Sequence, residues 1–420
     1  MSQHIGLLTR DTIALILAGG KGSRLKQLTE DRAKPGLPFG GKYKIIDFTL
    51  SNCMNSGIRR VDVLTQYKSS ELLAHVQKSW SRMPWELGEY VNIVPAQQQI
   101  GDLWYRGTAD AVYQNLKQLR KQHCKYVLVL GGDHIYKMDY SRMLRQHAKK
   151  KADISIASIP VSSKSASAFG VLNIDATMRV NQFVEKPECP PEMPEIPGKS
   201  LVSMGVYIFN FDTLEKLLLE DARSSASKHD FGYNIIPEAI KRQSVYAYIF
   251  DDDGCADVQA YWKDVGTVDQ YFHANLDLVQ LEPELNLYDS HWPIYSFQEQ
   301  LPGAKFIFDQ DGCRGQAIDS VITAGCIISG ATIKKSLLST RVTVERHSIL
   351  DHCVILPNVR IGKHCKLYNV LVVEDCIIPD NFCIGFDYES DKNFYEISES
   401  GVILVTQDMI DNYLKIEHGS

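Results

Sequence analysis

Apolar residues in the first half of the chain come in short unbroken runs, separated by segments with helical spacing. Ile13-Ala14-Leu15-Ile16-Leu17-Ala18 is one such run, stopped by Gly19-Gly20, and a strand buried on both faces has this appearance. Val61–Thr65, Tyr126–Leu130 and Ile154–Ala157 read as further strands. Between them, Val112, Leu116 and Leu119 share one face of a helix predicted over Ala109–His123. Strand–helix–strand alternation predicts an α/β fold with a mostly parallel sheet covered by helices on both faces. Ligands of such sheets gather beyond the carboxyl ends of the strands.

The pattern changes after about residue 300. From Gly330 to Gly385 no long helical spacing appears, and single apolar tokens recur six residues apart, as in Ile361, Leu367 and Val373 or Val359, Cys365 and Leu371. Turn-forming residues fill the gaps. A six-residue period predicts a solenoid in which each coil buries its tokens against the next, with a plain antiparallel meander as the alternative. The period is imperfect before residue 340. Breakers at Glu282-Pro283, Trp292-Pro293 and Pro302-Gly303 suggest a linker. The division expected is 1–280 for the α/β domain, 281–303 for the linker and 304–420 for the solenoid. Pro187–Gly198, with five prolines, and the polar stretch Asp221–Asp230 read as loops over a site.

Composition narrows the function classes. The chain has 420 residues, 44% hydrophobic and 23% charged, which excludes collagen, coiled coil and disorder as the main description. A net charge of −6 argues against a nucleic-acid partner held by phosphate neutralisation, although basic residues clustered in one pocket leave a small phosphorylated ligand open. No run approaches the roughly 20 apolar residues needed to span a bilayer. The ten cysteines occur singly and no CxxC is present, against a zinc ribbon. Reduced thiols and the absence of a signal-like start suggest a cytoplasmic protein with no membrane partner.

Candidate chemistry collects at strand ends. Gly19-Gly20-Lys21-Gly22-Ser23-Arg24-Leu25 is neither a Walker A loop nor a dinucleotide fingerprint. With Arg32 and Lys34 it places four cations around one glycine-rich turn, which suits a polyphosphate; an ordinary strand–helix turn is the alternative. Gly131-Gly132-Asp133-His134 ends another strand with a carboxylate, either a helix cap or a Mg²⁺ ligand. Asp264, in Tyr261-Trp262-Lys263-Asp264-Val265-Gly266-Thr267, is a candidate partner, and spacing leaves open whether the two meet. Val184-Glu185-Lys186-Pro187 and Trp104-Tyr105-Arg106-Gly107-Thr108-Ala109-Asp110 add charge, stacking surface and hydroxyl groups suited to a sugar phosphate.

Taken in order, these motifs resemble the bacterial glucose-1-phosphate adenylyltransferase (ADP-glucose pyrophosphorylase) family of sugar nucleotidyltransferases over nearly the whole chain. Gly107-Thr108-Ala109-Asp110-Ala111, Ser203-Met204-Gly205 and His229-Asp230-Phe231-Gly232 narrow the resemblance to the adenylyl enzymes. It implies a Rossmann-like nucleotidyltransferase sheet followed by a left-handed parallel β-helix. The implied reaction joins ATP and α-D-glucose 1-phosphate into ADP-glucose and pyrophosphate, the committed step of glycogen synthesis. Arg24, Lys34 and Asp133 are then catalytic. Asp133 and Asp264 hold Mg²⁺, and Gly19, Gly20 and Gln97 contact the nucleotide. Tyr105, Gly170, Glu185, Lys186 and Ser203 surround glucose 1-phosphate. The resemblance further implies a homotetramer controlled by sugar phosphates and AMP, with Arg32, Lys42 and Lys44 as effector-site candidates. Glu30 and Asp31 stand where relatives often carry a basic residue, which puts the usual activator in doubt. The alternatives are a sugar nucleotidyltransferase using UTP, dTTP or GTP, and a regulatory subunit expected to have lost Arg24, Lys34 or Asp133. An acyltransferase reading of the solenoid leaves the N-terminal cations unexplained.

Overall fold

The computed structural model describes residues 5–20, 22–81, 83–96, 104–194, 196–251, 260–310 and 312–417. Its backbone contacts separate into two units. The first comprises Met1–Gly20, Phe48–Gly132 and Tyr136–Trp262; the second comprises Lys21–Asp47, Asp133–Ile135 and Lys263–Ser420.

The first unit is built on a nine-stranded sheet. Its strands are β1 (Thr12–Ala18), β2 (Arg60–Thr65), β3 (Tyr90–Pro95), β4 (Tyr126–Gly131), β5 (Ile154–Ser162), β6 (Gly170–Ile174), β7 (Val180–Glu185), β8 (Lys199–Asn210) and β9 (Val245–Ile249). The run β4-β1-β2-β3 is parallel throughout, with Ile16 opposite both Val63 and Leu130. The four strands predicted from the apolar pattern are all present. The sheet is nonetheless mixed, because the twelve-residue β8 runs antiparallel to β4, β5 and β6. The register between β8 and β5 shifts between Ser203 and Tyr207, where Gly205 takes φ 68°. That irregularity lets one strand serve different neighbours along its length.

The helix predicted over Ala109–His123 is two helices, Thr108–Gln114 and Leu116–Lys121. Asn115 breaks it with φ −99° and ψ 3°. Its side-chain amide donates to Ala111 O at 2.8 Å and to the Tyr105 hydroxyl at 3.1 Å. Apolar spacing continues across the break because both pieces pack on the same core, where Val112, Leu116 and Leu119 are buried. The stretch Asp221–Asp230 is a loop after its first residue, and it is tied down at its ends. His229 is 4% exposed, and its Nδ1 meets the Asp221 carboxylate at 2.7 Å.

In the second unit the C-terminal region winds as a parallel β-helix with three faces. One face stacks Ile327–Ser329, Thr343–Val344, Arg360–Ile361 and Ile377–Ile378. The second stacks Thr332–Lys334, Ile349–Asp351, Lys366–Tyr368 and Cys383–Ile384. The third stacks Leu337–Leu338, Val354–Ile355 and Val370–Val372. The corners between faces take left-handed backbone at three stacked columns: Arg341, Asn358 and Asp375; His347, His364 and Asn381; Lys335, His352 and Asn369. Winding reaches back to Lys305–Ile307, before the regular period begins. Phe306, Ile318 and Ile327 are exposed there, so apolar residues off the inward positions blur the tokens. Among the described residues, 281–304 contain no helix or strand.

Each coil buries its tokens against the coils above and below, so a cavity in one layer is felt by two others. Leu367 is fully buried between Leu350 and Ile384 of the neighbouring coils. Leu367→Ala should lower unfolding free energy by about 2–5 kcal/mol, measured as a lowered midpoint in urea or thermal melts.

Candidate active site

In the second unit, Lys34 is the centre of a charge cluster. The chain reaches it through Gly22, whose φ of 64° opens the short helical stretch Ser23–Thr29. A side chain at Gly22 would press on the Lys34 and Thr29 side chains at 3.2 Å. Lys34 begins a single helical turn with Pro35 behind it, entered from extended Ala33. Its side chain is only 5% exposed. The ammonium lies 3.0 Å from Asp133 Oδ2 and 2.7 Å from Asp264 Oδ1. Burial acts to lower the Lys34 pKa, but the two carboxylates overcome it and raise it. Burial likewise acts to raise the Asp133 pKa. The ammonium and the neighbouring His134 imidazole outweigh that, so Asp133 sits well below the usual carboxylate range.

Asp133 and Asp264, 131 positions apart in sequence, therefore do meet. His134 Nε2 lies 3.7 Å from Asp133 and 3.9 Å from Asp264. One ligand atom from each of the three residues falls within 4.8 Å of the others. Two hard carboxylate oxygens already gathered around a cation suit Mg²⁺, which takes one or two protein carboxylates and fills its octahedron with phosphate oxygens and water. Arg24 is more open, 62% exposed and 3.6 Å from Asp264 Oδ2. A side chain at Gly266 would lie 2.7 Å from the Arg24 guanidinium and about 3 Å from the Asp264 carboxylate. That is the physical reason for glycine after Asp264-Val265.

The first unit gathers a second set. Glu185 ends β7 directly opposite Gly170 on β6. Side chains at Gly170 or Gly232 would strike the Glu185 carboxylate at 2.8 and 2.3 Å, so the two glycines form its slot. Burial raises the Glu185 pKa against the pull of Lys186, and Asp230 adds to the rise. Lys186 follows in left-handed backbone (φ 49°), a conformation that costs energy for a lysine. Its side chain is 56% exposed. Ser203 lies at the β8 irregularity, donating to the Tyr207 hydroxyl at 3.2 Å. Tyr105 is half-buried, with its hydroxyl held by Asn115. Asp110 accepts from both the Arg106 backbone and guanidinium and from Gln114. Thr108 Oγ donates to Asp230 at 2.9 Å and accepts from Phe231 N–H. Gly107 packs so closely on the 228–229 backbone that a Cβ would lie 2.4 Å from His229 O.

A nucleotidyl transferase family model matches residues 13–280, and a GlmU-like C-terminal hexapeptide model matches residues 302–405. The chain is 50% identical to a glucose-1-phosphate adenylyltransferase of Methylococcus capsulatus, over 98% of this chain and 97% of that protein. It is 51% identical to the enzymes of that name from Hydrogenovibrio crunogenus and Methylobacillus flagellatus, again over at least 97% of each chain. The chain belongs to the glucose-1-phosphate adenylyltransferase family. Membership makes it a nucleotidyltransferase, and the hexapeptide match fits the parallel coils to a left-handed β-helix.

The remaining sequence candidates of this adenylyltransferase are placed as follows. Gly19 lies against Gln66, and Gly20 has open space around its Cα. Gln97 and Lys21 lie outside the described residues. Arg32 forms an ion pair with Glu374 of the β-helix. Lys42 is exposed, with its ammonium 5.1 Å from the Tyr43 ring centre, and Lys44 donates its backbone N–H to Asp47. Gly232, the wall of the Glu185 slot, and His134 and Gly266, beside the carboxylates, carry no signal of their own in the sequence. All three sit inside motifs already noticed, but their roles depend on partners far away in sequence.

The pKa directions set a pH dependence. A carboxylate depressed in the folded state contributes stability above its unfolded pKa, near 3.9, and loses it as pH falls through the folded value. Lys34→Met removes the ammonium that depresses Asp133. The stability of the wild-type chain relative to Lys34→Met should therefore shrink as pH falls from about 7 to below 4, followed by thermal melts. A difference that is flat with pH would dissociate Lys34 from Asp133.

Proposed function

We propose that the chain transfers AMP from ATP to α-D-glucose 1-phosphate, releasing pyrophosphate, with the site residues acting as follows. An oxygen of the sugar phosphate forms a bond to the α-phosphorus as the bond from that phosphorus to the β-phosphate bridge oxygen breaks. The sugar phosphate is itself the nucleophile, so no serine or cysteine is required. Positioning two anions and neutralising charge in line supplies the catalysis. Lys34 and Arg24 neutralise the triphosphate and then the departing pyrophosphate. Asp133 and Asp264 would hold Mg²⁺, which when bound would supply charge neutralisation at the phosphates. Lys186 grips the phosphate of glucose 1-phosphate. Glu185, kept in its glycine slot, accepts from sugar hydroxyls, with Tyr105, Gly170 and Ser203 around the ring. The Gly19-Gly20 backbone and Gln97 contact the nucleotide.

The observation that carries this reading is Lys34 held between Asp133 and Asp264. It is a buried cation paired with two carboxylates, Asp133 from the segment after β4 and Asp264 at the end of the strand Trp262–Asp264. A regulatory subunit of the family is disfavoured, because Arg24, Lys34 and Asp133 are all retained. Pyrophosphate release from ATP and glucose 1-phosphate, with and without Mg²⁺, is the direct test. Asp133→Asn should abolish it with the fold intact, and activity within a few-fold of wild type would remove Asp133 from the site. Lys186→Ala should raise KM for glucose 1-phosphate about ten- to a hundredfold with little change for ATP. An equal loss for both substrates would assign Lys186 to the fold.

The finer parts of the reading are a homotetramer, a cytoplasmic location and control by sugar phosphates and AMP, and the β-helix bears on the first of them. Its long flat faces suit subunit contacts. Among them Ile349, Tyr368 and Ile377 are apolar and exposed. Light scattering at micromolar concentration should give four chains; a strict monomer would remove assembly from the reading.

A further inference from the structure

Arg32 and Glu374 form an ion pair whose side chains are only 14% and 17% exposed. Surface pairs contribute little, but a pair withdrawn from water penalises the loss of either member, because the remaining charge keeps its desolvation without its partner. Glu374 lies in a β-helix corner between the strands Val370–Val372 and Ile377–Ile378. That corner is stiff. The next residue, Asp375, takes φ 62°, donates its N–H to Pro357 O at 3.0 Å, and accepts from Asn358 Nδ2 at 2.9 Å.

At the other end of the pair, Arg32 is separated from Lys34 by Ala33 alone, which is extended and 1% exposed. Beyond Lys34, Pro38 O accepts a hydrogen bond from the buried Tyr271 hydroxyl on the helix Val268–Asp277. Burial and the nearby Glu374 carboxylate outweigh Arg32 and raise the pKa of that hydroxyl, keeping it a donor. The stretch from Arg32 to Pro38 is thus pinned on both sides of Lys34, once to a β-helix corner and once to a helix.

We infer that Glu374 is a positioning residue for the adenylyl transfer: acting through Arg32, it sets where the Lys34 ammonium meets Asp133 and Asp264. The inference rests on the reading of Lys34 as the cation of the triphosphate, and it gives the β-helix a part in catalysis beyond assembly. A displacement of about 1 Å at a reacting group can cost up to about a hundredfold in rate, so a charge two residues from Lys34 has leverage on turnover.

The test uses the full-length chain and the variants Glu374→Gln, Glu374→Asp, Arg32→Gln and the Arg32→Gln/Glu374→Gln double. For each, kcat, both KM values and the thermal midpoint are measured. Glu374→Gln and Arg32→Gln should each lower kcat/KM for ATP about tenfold, leaving KM for glucose 1-phosphate within about twofold. Glu374→Asp should recover most of the loss. Because the two residues act as one unit, the double variant should be no worse than the poorer single. A lowered midpoint with unchanged kcat/KM for ATP, additive losses, or parallel rises in both KM values would each overturn the inference. If Glu374→Gln does not fold, Arg32→Gln alone is read by the same criteria. Lys34→Ala separates the two levels. Normal turnover there sinks the reading of Lys34 itself, whereas its loss beside normal Glu374→Gln kinetics sinks only the positioning role.

Discussion

Two carboxylates drawn from distant parts of a chain repel each other, and at 4 Å the repulsion is about 4 kcal/mol for an effective dielectric of about 20. Asp133 and Asp264 are nevertheless brought together, because the Lys34 ammonium lies within hydrogen-bond distance of both. Much of the surrounding backbone answers to that arrangement. Gly22 leaves room for the lysine stem, Gly266 leaves room for Arg24 and Asp264, and Pro35 fixes the turn that Lys34 begins. For the triphosphate of the proposed reaction, a cation already desolvated and oriented serves better than one recruited from solvent. The orientation cost is then met during folding rather than during the reaction.

The cluster around Glu185 follows a different logic. Glu185 is held by exclusion, since Gly170 and Gly232 have no side chain to intrude on its carboxylate. Its burial raises its pKa, and partial desolvation strengthens any hydrogen bond it accepts. Lys186 beside it is half exposed and in a strained backbone conformation. Strain of this kind persists where the surroundings over-determine it. Here the fixed points are Pro187 on one side and the backbone bond from Lys186 N–H to Phe169 O on the other.

The β-helix shows how a repeat can be rigid without long elements. Its strands are two or three residues long, and left-handed corners at histidine, asparagine, aspartate and arginine turn the chain between faces. Each corner is held by backbone bonds to the coil before it, as from His364 N–H to Arg346 O and Asn381 N–H to Lys363 O. A lattice of this kind transmits position well, which gives Glu374 a firm base from which to hold Arg32.

Much of this protein was legible in one dimension. Continuous apolar runs marked β1 and β4, because a strand covered on both faces has no polar side to display, and β2 and β5 showed through a single polar residue, Asp62 or Ser155, set among apolar ones. Six-residue tokens marked the coils from Ile361 to Ile384, because each inward position must be apolar. Charged and glycine-rich motifs marked most of the residues that gather around Lys34 and around Glu185, since cations and close backbone stand out in a sequence. Tertiary structure decided the rest. The break at Asn115 depends on Tyr105, ten residues earlier, and the coils before residue 320 are masked by exposed Phe306 and Ile318. The meeting of Asp133 with Asp264, the Glu185 slot closed by Gly232, and the capture of Arg32 by Glu374 join residues between 47 and 342 positions apart. Spacing carries no information about such contacts: local periodicity reports which face of an element is buried, and only the packed chain decides what lies against it.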